Sequence, residues 1–333
     1  MSKVAVFGAG SWGTAFSLVL ADADNQVGLW ARRGEVASAI NNRHENVDYL
    51  PGVALPAEVR ATHDPQEALA GASVVVLAVP SQSLRRNLEQ WAKAIPGDVV
   101  VMSLMKGVEI GTTMRMSEVI GEVTGIRQER LAVLTGPNLS AEIAARQPAA
   151  AVIASSSPEV AARLQAMCHT VAFRPYTNSD VVGCELAGAT KNVIAIAVGM
   201  ASGLGFGDNA TATVITRGLA ETARLGAALG ADVHTFSGLA GLGDLVATCS
   251  SRLSRNRTFG EQLGQGRTVE QIAAASRQVA EGVRSCESIW DLATRHQISM
   301  PIVEHVVAVV RGEMTPAETV ASLISRDPKP ERG

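Results

Sequence analysis

The chain has 333 residues, 47% of them apolar and 18% charged, with a net charge of -3 spread without runs. That length suits two domains, each with its own core, and the patternless charge argues against nucleic acid as the main partner. The chain enters a strand at once with no export signal, and no uncharged apolar run reaches the ~18 residues of a membrane span, so a soluble, cytoplasmic protein is expected.

Val4 to Gly8 is a continuous apolar run, as a strand buried on both faces of a parallel sheet should be. It ends in Gly8-Ala9-Gly10-Ser11-Trp12-Gly13, and Thr14 to Leu20 continues at helical period. A GxGxxG between strand and helix is the dinucleotide context. Gly8 permits the tight turn, Gly10 lets the backbone approach a pyrophosphate, and Gly13 allows helix to pack on strand. Gln26 to Trp30 is the second strand. Where a ribose-binding acid would normally follow, the sequence reads Ala31-Arg32-Arg33. Two arginines there fit a 2′-phosphate, so NADP is favoured and NAD is admitted. Plain solvated loop arginines are the competing reading.

Asn41 to Pro56 reads as a polar connection, Val59 to Thr62 as a short strand and Asp64 to Leu69 as a short helix. Ser73 to Val79 is the clearest strand, and its end at Pro80-Ser81 should border a cofactor. Ser83 to Ile95 reads as a helix with Arg85 and Arg86 outward, and Asp98 to Leu104 as a strand leading to Met105-Lys106-Gly107. Leu131 to Leu134 is a strand ending in Thr135-Gly136-Pro137-Asn138. Two further β-rich runs, Ala150 to Ala154 and Val171 to Tyr176, flank a helix from Pro158 to Cys168. The alternation implies an α/β, doubly wound Rossmann-like domain over residues 1–182. No convincing strand follows Ser179. Thr268 to Gln271 and Thr315 to Glu318 are capping boxes, and Pro301 begins a helix, so residues 183–333 should form an all-helical domain with a frayed tail from Asp327.

Within that second part, Cys184 to Met200 reads as a helix apolar nearly all round, hence buried, yet it carries Lys191. Gly188, Lys191, Asn192 and Ala195 share one face. A buried lysine costs free energy unless paired or used, although its methylenes also allow it to reach the surface. Lysine is scarce, arginine outnumbering it 24 to 5, so an interior lysine is less readily explained by solubility. Further on, Gly238 to Asp244 is a glycine-rich turn placing one carboxylate before a helix near Leu245. Ser254-Arg255-Asn256 precedes another helix, as a phosphate cradle or a simple capped start. Cys168, Cys184, Cys249 and Cys286 show no paired spacing and read as reduced, buried thiols, and the six histidines give no metal-binding spacing.

Taken together, GAGSWG, LWARR, AVPS, KGVE, LTGPN, ELAGATKNVIAIAVG, GLGDLVATC, SRNR and VAEGV, in order from residue 8 to residue 283, resemble the bacterial NAD(P)-dependent glycerol-3-phosphate dehydrogenase family. The resemblance implies a Rossmann domain followed by an all-α domain like that of 6-phosphogluconate dehydrogenase. It also implies reversible reduction of dihydroxyacetone phosphate to sn-glycerol 3-phosphate for glycerophospholipid synthesis, in a homodimer. Carried onto matching positions, Lys191 would be the catalytic acid/base. Lys106, Gly136, Asn138, Asp244, Ser254, Arg255 and Asn256 would join it on the substrate. Gly8, Gly10, Ser11, Trp12, Gly13, Arg32, Arg33, Lys106, Ser140, Arg255, Val279 and Glu281 would meet the cofactor, with no metal. The chain departs from the family's pattern at Met105, Asn138, Leu139 and Ser140, which bears on the contacts of the Gly136 loop.

Overall fold

The computed structural model describes residues 2–275 and 281–325. The first part runs β1 (Lys3–Phe7), α1 (Ser11–Asp22), β2 (Gln26–Trp30), α2 (Gly34–Arg43), β3 (Glu45–Asn46) and β4 (Leu50–Ala54). There follow β5 (Val59–Thr62), α3 (Pro65–Leu69), β6 (Val74–Leu77), α4 (Leu84–Trp91), β7 (Val100–Ser103) and α5 (Met116–Thr124). β8 (Leu131–Thr135), α6 (Ser140–Ala144), β9 (Ala149–Ala154), α7 (Pro158–Cys168) and β10 (Phe173–Asn178) complete it. The remainder is helical: α8 (Val181–Gly203), α9 (Asp208–Ala228), α10 (Asp244–Ser250) and α11 (Arg255–Gly264), then α12 (Val269–Ala275), α13 (Glu281–Arg295), α14 (Pro301–Val310) and α15 (Pro316–Ile324).

Eight strands form one sheet in the order β10-β9-β8-β7-β6-β1-β2-β5. All neighbours are parallel except β8 and β9, so the last two strands run against the rest. Apolar runs without alternation follow from covering both faces. Val4 and Val6 point into a core with Phe16, Leu20 and Ile40, while Ala5 and Phe7 point into another with Trp30, Leu84 and Trp91. Trp91 lies 4.5 Å from Phe7 and 4.7 Å from Trp30, ring centre to ring centre.

Three local expectations are corrected. Asn41 to Pro56 is not a plain connection: it holds the last turn of α2 and a β3–β4 hairpin. The hairpin hides a polar anchor, because Asn46 is buried and donates to the Ala9 carbonyl and to Thr14 Oγ1. Arg86 is exposed as expected, but Arg85 folds back, pairing with Glu109 at 2.9 Å and Glu122 at 3.2 Å. The glycine-rich turn is π-helical over Leu239–Gly243 and runs straight into α10, and Gly241 lies so close to Phe236 that an added Cβ would sit 2.1 Å from its carbonyl oxygen. Both capping boxes and the proline start of α14 are present. The tail from Asp327 lies outside the described residues.

α8 is the axis of the helical part. By length and composition alone it would suffice to cross a membrane, but 83% of that stretch is buried against neighbouring helices. Leu186, Val193, Ile196 and Met200 meet Phe259, Ile289 and Val303 in its core. Glycines bring α11 against α8 backbone to backbone. A Cβ added at Gly199 or Gly260 would sit 2.1 Å from the carbonyl oxygen of Arg257 or Ile196, and one at Gly203 2.2 Å from that of Glu261. No side chain fits there, so the start of α11 is held at a fixed height beside Lys191.

Gly260→Ala should therefore destabilise the protein by about 1–3 kcal/mol, the usual cost of overpacking. Gly97→Ala, with nothing within 4 Å, should fall within about 0.5 kcal/mol of wild type. Urea unfolding of both variants checks this; equal effects would contradict the close approach.

Candidate active site

At the carboxyl end of β1 the three glycines do separate jobs. Gly8 adopts φ +124°, and a Cβ there would sit 2.5 Å from the Ala78 carbonyl oxygen. A Cβ at Gly13 would sit 1.9 Å from the Gly8 carbonyl oxygen, so helix and strand touch there. Above Gly10 nothing lies within 4 Å. The opening N–H groups of α1 have no acceptor within the helix, and Gly10 offers no side-chain cap. The indole N–H of Trp12 is buried without an acceptor, and Ser11 Oγ donates to the Tyr49 carbonyl at 2.7 Å. An open glycine step, unpaired N–H groups and a positive helix end suit a pyrophosphate, so these residues fit a dinucleotide. Arg32 and Arg33 are both exposed where β2 ends; Arg33 pairs with Asp48 and Glu35, whereas Arg32 makes no ion pair among the described residues.

The second half of the site is a carboxylate between two ammonium groups. Lys106 follows β7 at the sheet edge, Lys191 stands in the middle of α8, and Asp244 opens α10. Lys106 Nζ reaches Asp244 Oδ2 at 2.5 Å and the Gly136 carbonyl at 3.0 Å. Lys191 Nζ donates to Asp244 Oδ1 and, at 2.7 Å, to Thr248 Oγ1. Asp244 is 1% exposed and Lys191 8%, so both lie away from bulk water. Gly188 makes this geometry possible: a Cβ there would stand 3.3 Å from Lys106 Cγ and 3.1 Å from Thr135 Oγ1. The small residue on the lysine face of α8 thus gives room to a second lysine.

Charge balance defines the chemistry. Two ammoniums share one carboxylate, which leaves an excess positive charge in a buried place, suited to an oxygen that is becoming anionic. Burial holds the Lys106 pKa down to about 8, against the pull of Asp244 and with a further push from Lys191. Between pH 8 and 10.5 the folded state therefore binds fewer protons than the unfolded one, and this group's cost to stability fades as pH rises through that window.

Other expected residues have varied placements. Gly136, at φ +120°, turns its carbonyl to Lys106. Asn138 has a side-chain amide and carbonyl both buried without partners, as does the Thr135 hydroxyl beside it. Ser140 is the first residue of α6. Ser254 caps α11 by accepting from the Arg257 N–H, and Arg255 is exposed on its first turn. Asn256 points inward, donating to Asn192 Oδ1 and accepting from the Gly282 N–H, both at 2.9 Å. Val279 and the side chain of Glu281 lie outside the described residues. Thr248 went unforeseen, although it stands one helical turn after Asp244, a spacing that puts both on one face. All four cysteines are free and buried, and burial raises the pKa of each. Among the described residues no three His, Cys, Asp or Glu side chains converge as a metal site would require.

Comparison with known proteins gives consistent matches over the whole chain. Residues 3–161 match the N-terminal and residues 180–321 the C-terminal model of NAD-dependent glycerol-3-phosphate dehydrogenase. A Streptomyces griseus protein named glycerol-3-phosphate dehydrogenase [NAD(P)+] is 62% identical over 330 residues, 99% of this chain and 98% of that one. One of the same name from Thermobifida fusca is 59% identical over 333 residues, covering 100% and 99%. The crystal structure of glycerol-3-phosphate dehydrogenase from Coxiella burnetii superposes with a TM-score of 0.93 at 35% identity, covering 98% and 99%.

Asp244→Asn leaves two buried ammoniums without a counter-charge and should cost about 3–5 kcal/mol at pH 7. The sign with pH follows from Lys106: as it loses its proton around pH 8, the deficit should shrink towards pH 10. Urea unfolding at both pH values measures it, and a constant deficit would contradict the shared-carboxylate geometry.

Proposed function

The chain belongs to the NAD-dependent glycerol-3-phosphate dehydrogenase family, and from that premise we propose that Lys191 and Lys106, held on one carboxylate, carry the reaction. The enzyme is an NAD(P)-dependent oxidoreductase that interconverts dihydroxyacetone phosphate and sn-glycerol 3-phosphate. A bound nicotinamide supplies or accepts the hydride at the substrate's central carbon. The protein's share is polarisation and the proton.

Lys191 Nζ points one N–H at the carbonyl oxygen and donates that proton as the oxygen gains charge; in the reverse direction its neutral amine takes the proton back. Asp244 and Thr248 fix two directions of that ammonium, which leaves its third N–H to meet the substrate. Lys106 adds the second positive charge beside the same carboxylate. It holds an anionic or hydroxyl-bearing part of the substrate against the Gly136 loop, where the unpaired amide of Asn138 offers two N–H donors and a carbonyl acceptor. Ser254, Arg255 and the first turn of α11 take the phosphate end. Ser11 to Gly13 receive the cofactor pyrophosphate, and Arg32 and Arg33 favour NADP over NAD. The observation that carries this reading is the near-complete burial of Asp244 between two lysines, since a structural ion pair needs only one.

The same reading makes the product the glycerol backbone for phospholipid synthesis and puts the enzyme in the cytoplasm, in keeping with four unpaired cysteines. It acts as a homodimer, and Leu242, Val246 and Leu253 supply exposed apolar surface of the kind such an interface covers.

Lys191→Ala should lose at least ~10²-fold in turnover, the low end for general acid catalysis, while still binding NADPH. Steady-state assays of dihydroxyacetone phosphate reduction, paired with a cofactor titration, measure both. Turnover near that of wild type would end the assignment.

A further inference from the structure

The end of β2 lacks the acid that would bind a ribose diol, carrying Arg32 and Arg33 instead. The fold supplies a carboxylate from elsewhere. Asp48 sits in the turn between β3 and β4, fifteen residues past Arg33, and its Oδ2 accepts from Arg33 Nη2. Glu35 holds the same guanidinium through Nη1 at 3.1 Å. The turn is anchored on either side of Asp48. Next in sequence, Tyr49 accepts from Ser11 Oγ at 2.7 Å, and two residues earlier the buried Asn46 donates to the Ala9 carbonyl at 2.9 Å and to Thr14 Oγ1 at 2.8 Å. Asp48 is thus held on a fixed bridge from the glycine-rich turn to the end of β2, the span an adenosine ribose would occupy.

We propose that Asp48 is a cofactor-specificity residue that lets one site take both NAD and NADP. The inference rests on the reading that this end of the sheet binds a dinucleotide. With an unphosphorylated ribose, Asp48 accepts from a ribose hydroxyl and keeps Arg33 at its side. A 2′-phosphate repels Asp48 and takes over Arg33, while Arg32 is free of ion pairs among the described residues and can join it. The exchange is cheap because the pair is half in water: side-chain exposure is 42% for Arg33 and 52% for Asp48, and exposed pairs are weak. An acid fixed at the end of β2 would exclude the phosphate, and arginines alone would leave the diol without an acceptor. A carboxylate on a neighbouring turn, paired to one arginine of two, serves either ligand.

The test is titration of the full-length enzyme by calorimetry with NADPH, NADH and the fragments 2′,5′-ADP and 5′-ADP, which report binding without turnover. Asp48→Asn should tighten NADPH and 2′,5′-ADP and weaken NADH, each by about two- to fivefold, the scale of one exposed ion pair. In an Arg33→Ala background the gain for NADPH should shrink. Equal changes for both cofactors, as expected of a plain surface staple, would overturn the proposal, as would an undiminished gain without Arg33. Wild-type protein that binds neither fragment would overturn the dinucleotide reading itself; binding with an unchanged ratio in Asp48→Asn would overturn this inference alone.

Discussion

One buried carboxylate sets the geometry of this enzyme. Asp244 must face two ammonium groups from opposite parts of the chain, Lys106 from the sheet edge and Lys191 from the central helix. Without it two ammoniums would lie buried with no counter-charge, and desolvating each costs several kcal/mol. Many local features follow from this demand. Gly188 makes space for Lys106, the π-helical turn from Leu239 to Gly243 carries Asp244 to the right height, and Thr248 takes one Lys191 N–H. The domain of the sheet and the domain of the helices thus meet at a charge cluster.

A second buried ion pair fastens the same two parts and makes a useful contrast. Arg115, ahead of α5, pairs with Glu185 of α8 at 2.7 Å, and Ser117 donates to that carboxylate from both its N–H and its hydroxyl. Here one cation meets two carboxylates, Glu185 and, also at 2.7 Å, Glu118, with further donors, so no positive charge is left over. Burial raises the Glu185 pKa, and Arg115 pulls the other way. This is an anchor between domains. The Asp244 cluster, with one cation too many, is built to meet a third party.

Much of this was legible in the sequence, for identifiable reasons. Strands such as Gln26–Trp30 and Val59–Thr62, and the helix Pro158–Cys168, announce themselves through apolar runs, β-branching and proline starts, and their bounds match. Lys191, Lys106 and Asp244 stood out as charges in apolar or glycine-rich surroundings, and the fold brings them together. The β3–β4 hairpin did not, because its anchor is a buried asparagine whose partners lie 32 and 37 residues away. Asn256 showed its type but not its direction: an amide beside a helix start reads as a ligand donor, yet here it ties α11 to α8 and α13. The Arg33–Asp48 pair was equally hidden, since a hairpin turn makes it and no spacing rule connects the two.

The most direct test of the shared carboxylate is a pH titration of the lysine side-chain nitrogens by NMR. The chain has five lysines, so the ammonium signals are few enough to assign by substitution. Lys106 should titrate near pH 8, well below the ordinary lysine value of about 10.4. If Lys106 instead titrates at the ordinary lysine value, it is not desolvated beside Asp244, and the charge cluster at the centre of the site does not exist.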